Sequence, residues 1–173
     1  SSDTVFTLAG NDSVQASLGA DSLDGGLGVD VIDYSGLLGV SRIQLSLDGS
    51  QPAQVDVDGA DDDIISSFEN VIGTSGGDDI EGDSENNVFD GLAGNDVLAG
   101  NGGDDELLGG QGDDWLSGGD GNDVLDGEQG RDTISYINAA GGVAVDLSVN
   151  QTTNDGYGGT DVLRSIENVE GSA

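Results

Sequence analysis

A nine-residue period is the feature that most constrains the fold of this sequence. Residues 25–33, 109–117 and 118–126 read GGLGVDVID, GGQGDDWLS and GGDGNDVLD, and all three fit the pattern Gly-Gly-x-Gly-x-Asp-x-apolar-x. A short fixed period predicts a solenoid, because one such repeat cannot bury its apolar face alone and must stack on its neighbours.

The sixth position of the repeat carries the candidate metal ligands. Followed in register along the chain, it is occupied by Asp3, Asp12, Asp21, Asp30, Asp78, Asn87, Asp96, Asp105, Asp114, Asp123 and Asp132. An apolar residue stands two places after each of them, at Val5, Val14, Leu23, Ile32, Ile80, Phe89, Leu98, Leu107, Leu116, Leu125 and Ile134. A disordered acidic linker has no need for this fixed spacing, so the pattern favours an ordered structure.

The residue types of the repeat predict a turn followed by a short strand. Glycines at the first, second and fourth positions allow backbone conformations that a side chain would forbid, and they leave carbonyl oxygens accessible to an ion. The residues after the aspartate form a strand whose apolar member points inward. Stacked repeats therefore place a ladder of apolar side chains along one interior.

The charge of the chain indicates what holds the turns together. The sequence has 35 acidic residues, three arginines and no lysine, which gives a formal net charge of −32. Such a composition predicts disorder unless a counter-charge is bound as part of the structure. Cysteine and histidine are absent, so the sequence offers only oxygen ligands, which suit calcium, magnesium or manganese.

The same composition excludes several partners. Nucleic-acid binding needs clusters of lysine and arginine, and membrane insertion needs an apolar run of roughly 20 residues. The sequence contains neither. A free-standing enzyme is not expected either, because histidine, cysteine and a serine motif of the nucleophile-elbow type are all missing.

The pattern resembles the repeats-in-toxin (RTX) family of calcium-binding nonapeptides, most strongly over residues 1–33 and 73–135. The resemblance implies an all-β fold, a right-handed parallel β-roll (a β-helix or solenoid), in which two nonapeptides form one coil and several Ca²⁺ ions lie between turns one coil apart. The ligand pairs that it implies are Asp3–Asp21, Asp12–Asp30, Asp78–Asp96, Asp96–Asp114, Asp114–Asp132, Asp105–Asp123 and Asn87–Asp105. The pair with Asn87 is expected to be weaker or empty, because an amide oxygen brings no charge.

Two less regular segments interrupt the repeats and resemble each other. Both open on Ile-x-Tyr, at Ile32–Tyr34 and Ile134–Tyr136, and both close on Glu-Asn-Val, at Glu69–Val71 and Glu167–Val169. The chain is therefore predicted to be a tandem duplication of repeats followed by a β-hairpin or capping segment. The first unit spans 1–72 (repeats 1–33, segment 34–72) and the second spans 73–173 (repeats 73–135, segment 136–173).

Each segment partly restores the repeat and places one aspartate in the sixth position. These residues, Asp63 and Asp161, are candidate calcium ligands. The alternative interpretation is that both segments are polar-faced caps that cover an open end of the roll, since a solenoid needs protected ends.

The sequence thus predicts a module that folds when it binds extracellular calcium. The family resemblance implies export from a Gram-negative bacterium by type I secretion, as part of a larger parent chain whose secretion, folding or stiffness the module supports. The alternative is a polysaccharide- or partner-binding module, or a spacer, of a secreted enzyme or adhesin. Polysaccharide binding has little support from a strongly acidic chain with three arginines.

Overall fold

The structure is a computed structural model that describes residues 2–47, 51–59, 61–149 and 151–171. Within these ranges the chain forms nineteen β-strands, and no helix is long and apolar enough to cross a membrane. The strands are β1 (Thr4–Phe6), β2 (Ser13–Gln15), β3 (Ser22–Asp24), β4 (Val31–Asp33), β5 (Ile43–Ser46), β6 (Ala53–Val57), β7 (Asp61–Ser66), β8 (Asn70–Ile72), β9 (Asp79–Glu81), β10 (Val88–Asp90), β11 (Val97–Gly102), β12 (Glu106–Gln111), β13 (Trp115–Asp120), β14 (Val124–Gln129), β15 (Thr133–Ser135), β16 (Ala144–Asp146), β17 (Gln151–Asn154), β18 (Val162–Arg164) and β19 (Asn168–Glu170).

Successive strands of the repeats alternate between two sheets. The first sheet has the order β1-β3-β7-β6-β5-β9-β11-β13-β15-β19, and the second has the order β16-β17-β18-β14-β12-β10-β8-β4-β2. Strands of the repeat runs pair in parallel with the strand one coil away, as in the register of Leu98 with Leu116 and of Phe89 with Leu107. The predicted all-β parallel β-roll is therefore confirmed.

The core lies between the two sheets and consists of the apolar residue of each repeat. Phe89, Leu98 and Leu116 are fully buried, whereas Val97 and Trp115, one residue earlier, are 45% and 40% exposed. This alternation follows from the pleat of a strand, which turns successive side chains to opposite faces. Full burial of each such side chain contributes about 1.5–3 kcal/mol relative to leaving it exposed.

The turns between strands need glycine because successive coils lie very close together. A Cβ atom at Gly112 would overlap the carbonyl group of Gly94 in the preceding coil, and one at Gly110 would overlap that of Leu92. Both glycines also have positive φ angles, +142° and +104°, which residues with a side chain rarely adopt. The turns can stack at this distance only because these positions carry no side chain.

The segment 34–72 is inserted into the roll and does not cover an end of it. Strands β5, β6 and β7 form an antiparallel meander within the first sheet, in which β7 pairs in parallel with β3 and β5 pairs in parallel with β9. Strand β8 continues the second sheet between β4 and β10. The interpretation of this segment as a cap on an open end is therefore wrong, because repeats flank it on both sides.

The segment 136–171 repeats this arrangement with the two sheets exchanged. Strands β16, β17 and β18 are antiparallel neighbours at the end of the second sheet, where β18 pairs with β14. Strand β19 pairs with β15 at the end of the first sheet. Strands from residues 1–72 and from residues 73–173 thus belong to the same two sheets.

Candidate metal centre

The sixth-position carboxylates form a ladder of hydrogen bonds along the roll. The backbone N–H of Asp96 donates to Oδ1 of Asp114 over 2.8 Å, and the N–H of Asp78 donates to Oδ1 of Asp96 over 2.7 Å. The same bond, always across eighteen residues, joins Asp3 to Asp21, Asp12 to Asp30, Asn87 to Asp105, Asp105 to Asp123, and Asp114 to Asp132. The structure therefore brings together each pair of residues that the family resemblance implied.

The second oxygen of these carboxylates has a different environment. In six of them, Oδ2 is buried and has no hydrogen-bond partner; these are Asp30, Asp96, Asp105, Asp114, Asp123 and Asp132. A buried carboxylate oxygen without a partner is strongly unfavourable unless a cation compensates its charge. The orphaned oxygens therefore mark positions where a bound cation would stabilise the fold.

Burial changes the acidity of the same groups. Desolvation raises the pKa of Asp96 and Asp123 to about 7 and that of Asp105 to about 6, and it also raises the pKa values of Asp114 and Asp132. Each of these carboxylates also accepts a hydrogen bond from a backbone N–H, which lowers its pKa. This effect is smaller than that of desolvation. The fold thus holds these carboxyl groups where their charged form is disfavoured in the absence of a cation.

Each orphaned oxygen faces a small cradle at the first glycine of its own turn. A Cβ atom placed on Gly91 would lie 2.5 Å from Oδ2 of Asp96 and 2.7 Å from the carbonyl oxygen of Gly109, one coil further on. At Gly100 the corresponding neighbours are Oδ2 of Asp105 and the carbonyl oxygen of Gly118. At Gly91 and Gly100 the first-position glycine therefore leaves a space that is bounded by carboxylate and carbonyl oxygens, whereas at Gly109, Gly118 and Gly127 the three nearest atoms all belong to the aspartate of the same turn.

This donor set fits calcium. Calcium binds six to eight oxygens and accepts carboxylates together with backbone carbonyls in flexible geometry. Across the described part of the chain no group of three or more acidic side chains converges on one point. The backbone carbonyls of the turns must therefore supply much of any coordination shell, which is consistent with the glycine-rich turn.

Not every sixth-position residue has an orphaned oxygen. Oδ2 of Asp78 accepts the backbone N–H of Thr74 over 2.6 Å, and its Oδ1 accepts the N–H of Ile43 in β5. Asn87 accepts the N–H of Asp83 through Oδ1, while its amide Nδ2 donates to the carbonyl of Glu69 over 2.8 Å. Protein groups alone therefore satisfy both residues, which lie where the second repeat run meets the first segment.

The two candidate ligands in the irregular segments are held by tyrosines. Oδ1 of Asp63 accepts the N–H of Asp21, and Oδ1 of Asp161 accepts that of Asp123, so both belong to the ladder. Their Oδ2 atoms accept hydrogen bonds from buried phenols: Tyr34 donates to Asp63 over 3.3 Å and Tyr136 donates to Asp161 over 2.8 Å. Burial, reinforced by the adjacent carboxylate, raises the pKa of each tyrosine and keeps it a hydrogen-bond donor.

Two ladder residues were missed by sequence reasoning. Oε2 of Glu69 accepts the N–H of Asp30 over 2.8 Å, and Oε2 of Glu167 accepts that of Asp132 over 2.9 Å. Each glutamate replaces a sixth-position aspartate where an irregular segment joins the repeats. The Glu-Asn-Val signature, which occurs in both segments, was the available signal.

A parallel β-roll whose turns present orphaned carboxylate oxygens beside carbonyl oxygens is a repeat protein built to bind hard divalent cations. The family model of the RTX calcium-binding nonapeptide repeat (4 copies) matches residues 1–32, 72–107 and 100–134, which together are more than half of the chain. The chain therefore belongs to the family of RTX calcium-binding nonapeptide repeats. No curated protein sequence matches it.

Membership of the family identifies the metal that the repeats bind. Repeats of this family bind Ca²⁺, several ions per set of repeats, and they are structural and not catalytic units. They are typical of secreted proteins of Gram-negative bacteria.

Proposed function

We propose that this chain is a calcium-triggered folding module of a secreted bacterial protein. The observation that carries the proposal is the set of six buried Oδ2 atoms that no protein group contacts by a hydrogen bond. Burial of these oxygens opposes folding of the metal-free chain, and the formal charge of −32 adds general repulsion. Bound calcium would supply the missing positive charge, so that binding free energy becomes folding free energy.

The residues of the chain prepare each site for the ion. A hydrogen bond from a backbone N–H to Oδ1 fixes the orientation of each carboxylate. For example, the N–H of Asp96 donates to Oδ1 of Asp114. Oδ2 is then directed towards the first glycine of its own turn. Because the ladder links turns one coil apart, occupation of one site orders the next turn, and folding is expected to be cooperative.

We assign the principal calcium sites to the turns that precede the aspartates with orphaned oxygens, namely Asp30, Asp96, Asp105, Asp114, Asp123 and Asp132. Asp3 is exposed and Asp12 is only half-buried, so neither presents a buried orphaned oxygen, and both are expected to bind more weakly. Asp21 is not among the residues with orphaned oxygens, because its Oδ2 accepts a hydrogen bond of 2.8 Å from the hydroxyl of Ser17. Asp63, Asp78, Asn87 and Asp161 have partners within the protein and are assigned a structural role.

The affinity expected of such sites supports a function outside the cell. Extracellular calcium modules bind with dissociation constants on the order of 0.1–1 mM, far above cytosolic calcium. We infer that the chain leaves a Gram-negative bacterium unfolded, by type I secretion, and folds on exposure to external calcium. It would act within a larger parent chain, as two units over residues 1–72 and 73–173, and not as an enzyme.

One observation also supports a mechanical role. Both sheets run without interruption through the repeats on either side of the inserted meander, since β5 pairs with β9 and β8 pairs with both β4 and β10. A continuous pair of sheets resists bending between the two units. The module would therefore stiffen the parent chain as a spacer once calcium is bound.

A calcium titration followed by far-ultraviolet circular dichroism tests the proposal, with magnesium at equal concentration as the control. We expect a cooperative gain of β-structure with calcium alone. A chain that is fully folded in excess chelator, or that stays disordered in 10 mM calcium, a concentration about tenfold above the expected dissociation constants, would contradict it.

The substitution Gly91→Ala tests the assigned cradle without changing any charge. Its methyl group would enter the space between Oδ2 of Asp96 and the carbonyl of Gly109, so we expect the loss of one bound calcium ion and a higher calcium midpoint. The control is Gly142→Ala, where a Cβ atom has no neighbour within 4 Å. Equal calcium stoichiometry in the two variants would refute the assignment of that turn.

A further inference from the structure

One dipeptide in the second run of repeats is chemically reactive and has no part in the calcium sites described above. Asn101–Gly102 is the only Asn-Gly pair among the eleven asparagines of the sequence. Asparagine is a thermolabile residue, and its side chain is attacked most readily when the next residue is glycine, because glycine has no Cβ atom to hinder the approach. The pair lies in the turn between Gly100 and Asp105, one of the turns to which we assign a calcium ion.

The reaction open to this pair is deamidation, which consumes only water. The backbone nitrogen of Gly102 gives up its proton and forms a bond to Cγ of Asn101. The bond from Cγ to Nδ2 breaks, and Nδ2 leaves as ammonia. Water then adds to one of the two carbonyl carbons of the succinimide ring. Opening of the ring yields either aspartate or isoaspartate, in which the main chain runs through the former side chain.

The fold holds both reacting groups of the pair in hydrogen bonds to the preceding coil. The N–H of Gly102 donates to the carbonyl of Asp83 over 3.0 Å. The leaving group, Nδ2 of Asn101, donates to the carbonyl of Gly82 over 2.8 Å and to Oε1 of Glu81 over 3.1 Å. Attack on Cγ requires these bonds to break, so it requires the turn to open.

Stacking of the coils brings these partners together. The acceptors follow strand β9, the reactive pair ends strand β11, and the two strands pair in parallel. Without the stacked coils, the nitrogen of Gly102 and the amide of Asn101 lose these three bonds together. Because calcium is proposed to drive the stacking, the metal-free chain exposes the pair and the calcium-bound chain protects it.

Neither product of the reaction fits the closed turn. A carboxylate at position 101 has no N–H to donate and would repel the carbonyl of Gly82 and the carboxylate of Glu81. Isoaspartate would add one methylene group to the main chain. The next coil leaves no room for such a shift, since a Cβ atom on Gly119 would already lie 2.1 Å from the carbonyl oxygen of Asn101.

We propose that Asn101 is a deamidation site that the calcium-bound fold protects. A chain that stays without calcium converts Asn101 to aspartate or isoaspartate, and the converted chain needs more calcium to close the turn that begins at Gly100. The reaction therefore limits the time for which an unfolded chain remains able to fold. This inference rests on the proposed calcium-triggered folding.

The experiment incubates the chain in saturating calcium or in excess chelator at the same pH and temperature. Peptide mass spectrometry that separates asparagine, aspartate and isoaspartate gives the rate of conversion, and circular dichroism of the same samples reports the fold. We expect Asn101 to convert at least about tenfold faster in chelator, because protection follows the suppression of local opening. Asn95 and Asn122, which precede aspartates, should stay largely unconverted in both samples.

The variant Gly102→Ala tests the chemistry without disturbing the fold. Its methyl group would have its nearest neighbours at 3.7 and 3.8 Å, which is ordinary contact. It should hinder the attack on Cγ, so we expect slower conversion of Asn101 in chelator and an unchanged calcium titration. Conversion of Asn101 in chelator as fast as in the original chain would overturn the proposal.

The variant Asn101→Asp measures the effect of the aspartate product. We expect a higher calcium midpoint in circular dichroism than for the original chain. The matched control is Asn95→Asp, which adds the same charge at an exposed position and keeps the oxygen that accepts the N–H of Asp113. Equal midpoints in the two variants would refute the claim that conversion impairs folding.

The two measurements separate this inference from the proposed function. If calcium induces the β-signal but Asn101 converts equally fast in calcium and in chelator, only the inference about Asn101 is overturned. If the β-signal does not respond to calcium, the proposed function fails and the inference fails with it.

Discussion

The hydroxyl of Tyr136 donates a hydrogen bond of 2.8 Å to Oδ2 of Asp161. In the regular repeats the equivalent oxygen, for example Oδ2 of Asp123, has no partner within the protein. In the irregular segment, the phenol of Tyr136 thus contacts the oxygen that has no protein partner in the regular repeats. The coil at Asp161 is therefore held together by protein groups alone.

Replacement of this phenol should destabilise the fold without removing a calcium site. Tyr136→Phe leaves Oδ2 of the buried Asp161 without its donor, which costs about 1–3 kcal/mol. We expect a lower melting temperature in saturating calcium and an unchanged number of bound ions. The control is Tyr157→Phe, which changes a half-buried tyrosine; a loss of one calcium ion in Tyr136→Phe would instead indicate that Asp161 is a ligand.

The substitution Asn87→Asp should create an additional calcium site. The turn before Asn87 already has glycine at its first position, Gly82. A Cβ atom on Gly82 would lie 2.5 Å from the carbonyl oxygen of Gly100. The carboxylate is missing from the sixth position, and Asp83 and Glu85 stand where the regular repeat has glycine. Introduction of the carboxylate also removes the donor to the carbonyl of Glu69.

We therefore expect Asn87→Asp to bind one more calcium ion than the original chain and to be less structured in chelator. Isothermal titration calorimetry and circular dichroism measure the two effects. The matched control is Asn86→Asp, which adds the same charge at the neighbouring fifth position. An unchanged stoichiometry in Asn87→Asp would show that the turn at residues 82–86 cannot hold an ion.

Stability of the metal-free chain should fall as the pH rises through the neutral range. Burial raises the pKa of Asp96 and Asp123 to about 7 and that of Asp105 to about 6, whereas the unfolded chain has values near 3.9. Between these values the folded state binds more protons than the unfolded state, so the stabilisation by these groups is complete below about pH 4 and is lost as the pH approaches 7.

Circular dichroism of calcium-depleted protein between pH 4 and pH 8 checks this expectation; β-structure should increase towards acid. In calcium, the midpoint concentration should rise as the pH falls below about 7, because protons compete with the ion for the same oxygens. Repetition in about 1 M KCl screens general repulsion between exposed charges and leaves the effect of buried groups. A metal-free signal that is independent of pH, or that is larger at pH 8, would contradict the expectation.

The sequence by itself determined the parts of the structure that repeat. The spacing of nine fixes which side chain of each strand points inward, so Leu98 and Leu116 could be placed in the core without a structure. The pairing of Asp96 with Asp114 came from the family resemblance, which implies two nonapeptides per coil, because a period of nine does not by itself say how many repeats form one coil.

The tertiary structure decided the parts that have no period. The bond between Tyr34 and Asp63 spans 29 residues, and the N–H of Asp30 reaches Glu69 across 39; both depend on how the meander returns to the roll. The same is true of the insertion of β5–β7 between β3 and β9, where the sequence was compatible with a cap at an open end. Whether an aspartate keeps an orphaned oxygen depends on the groups that the tertiary fold places beside it, and the repeat pattern does not record those groups.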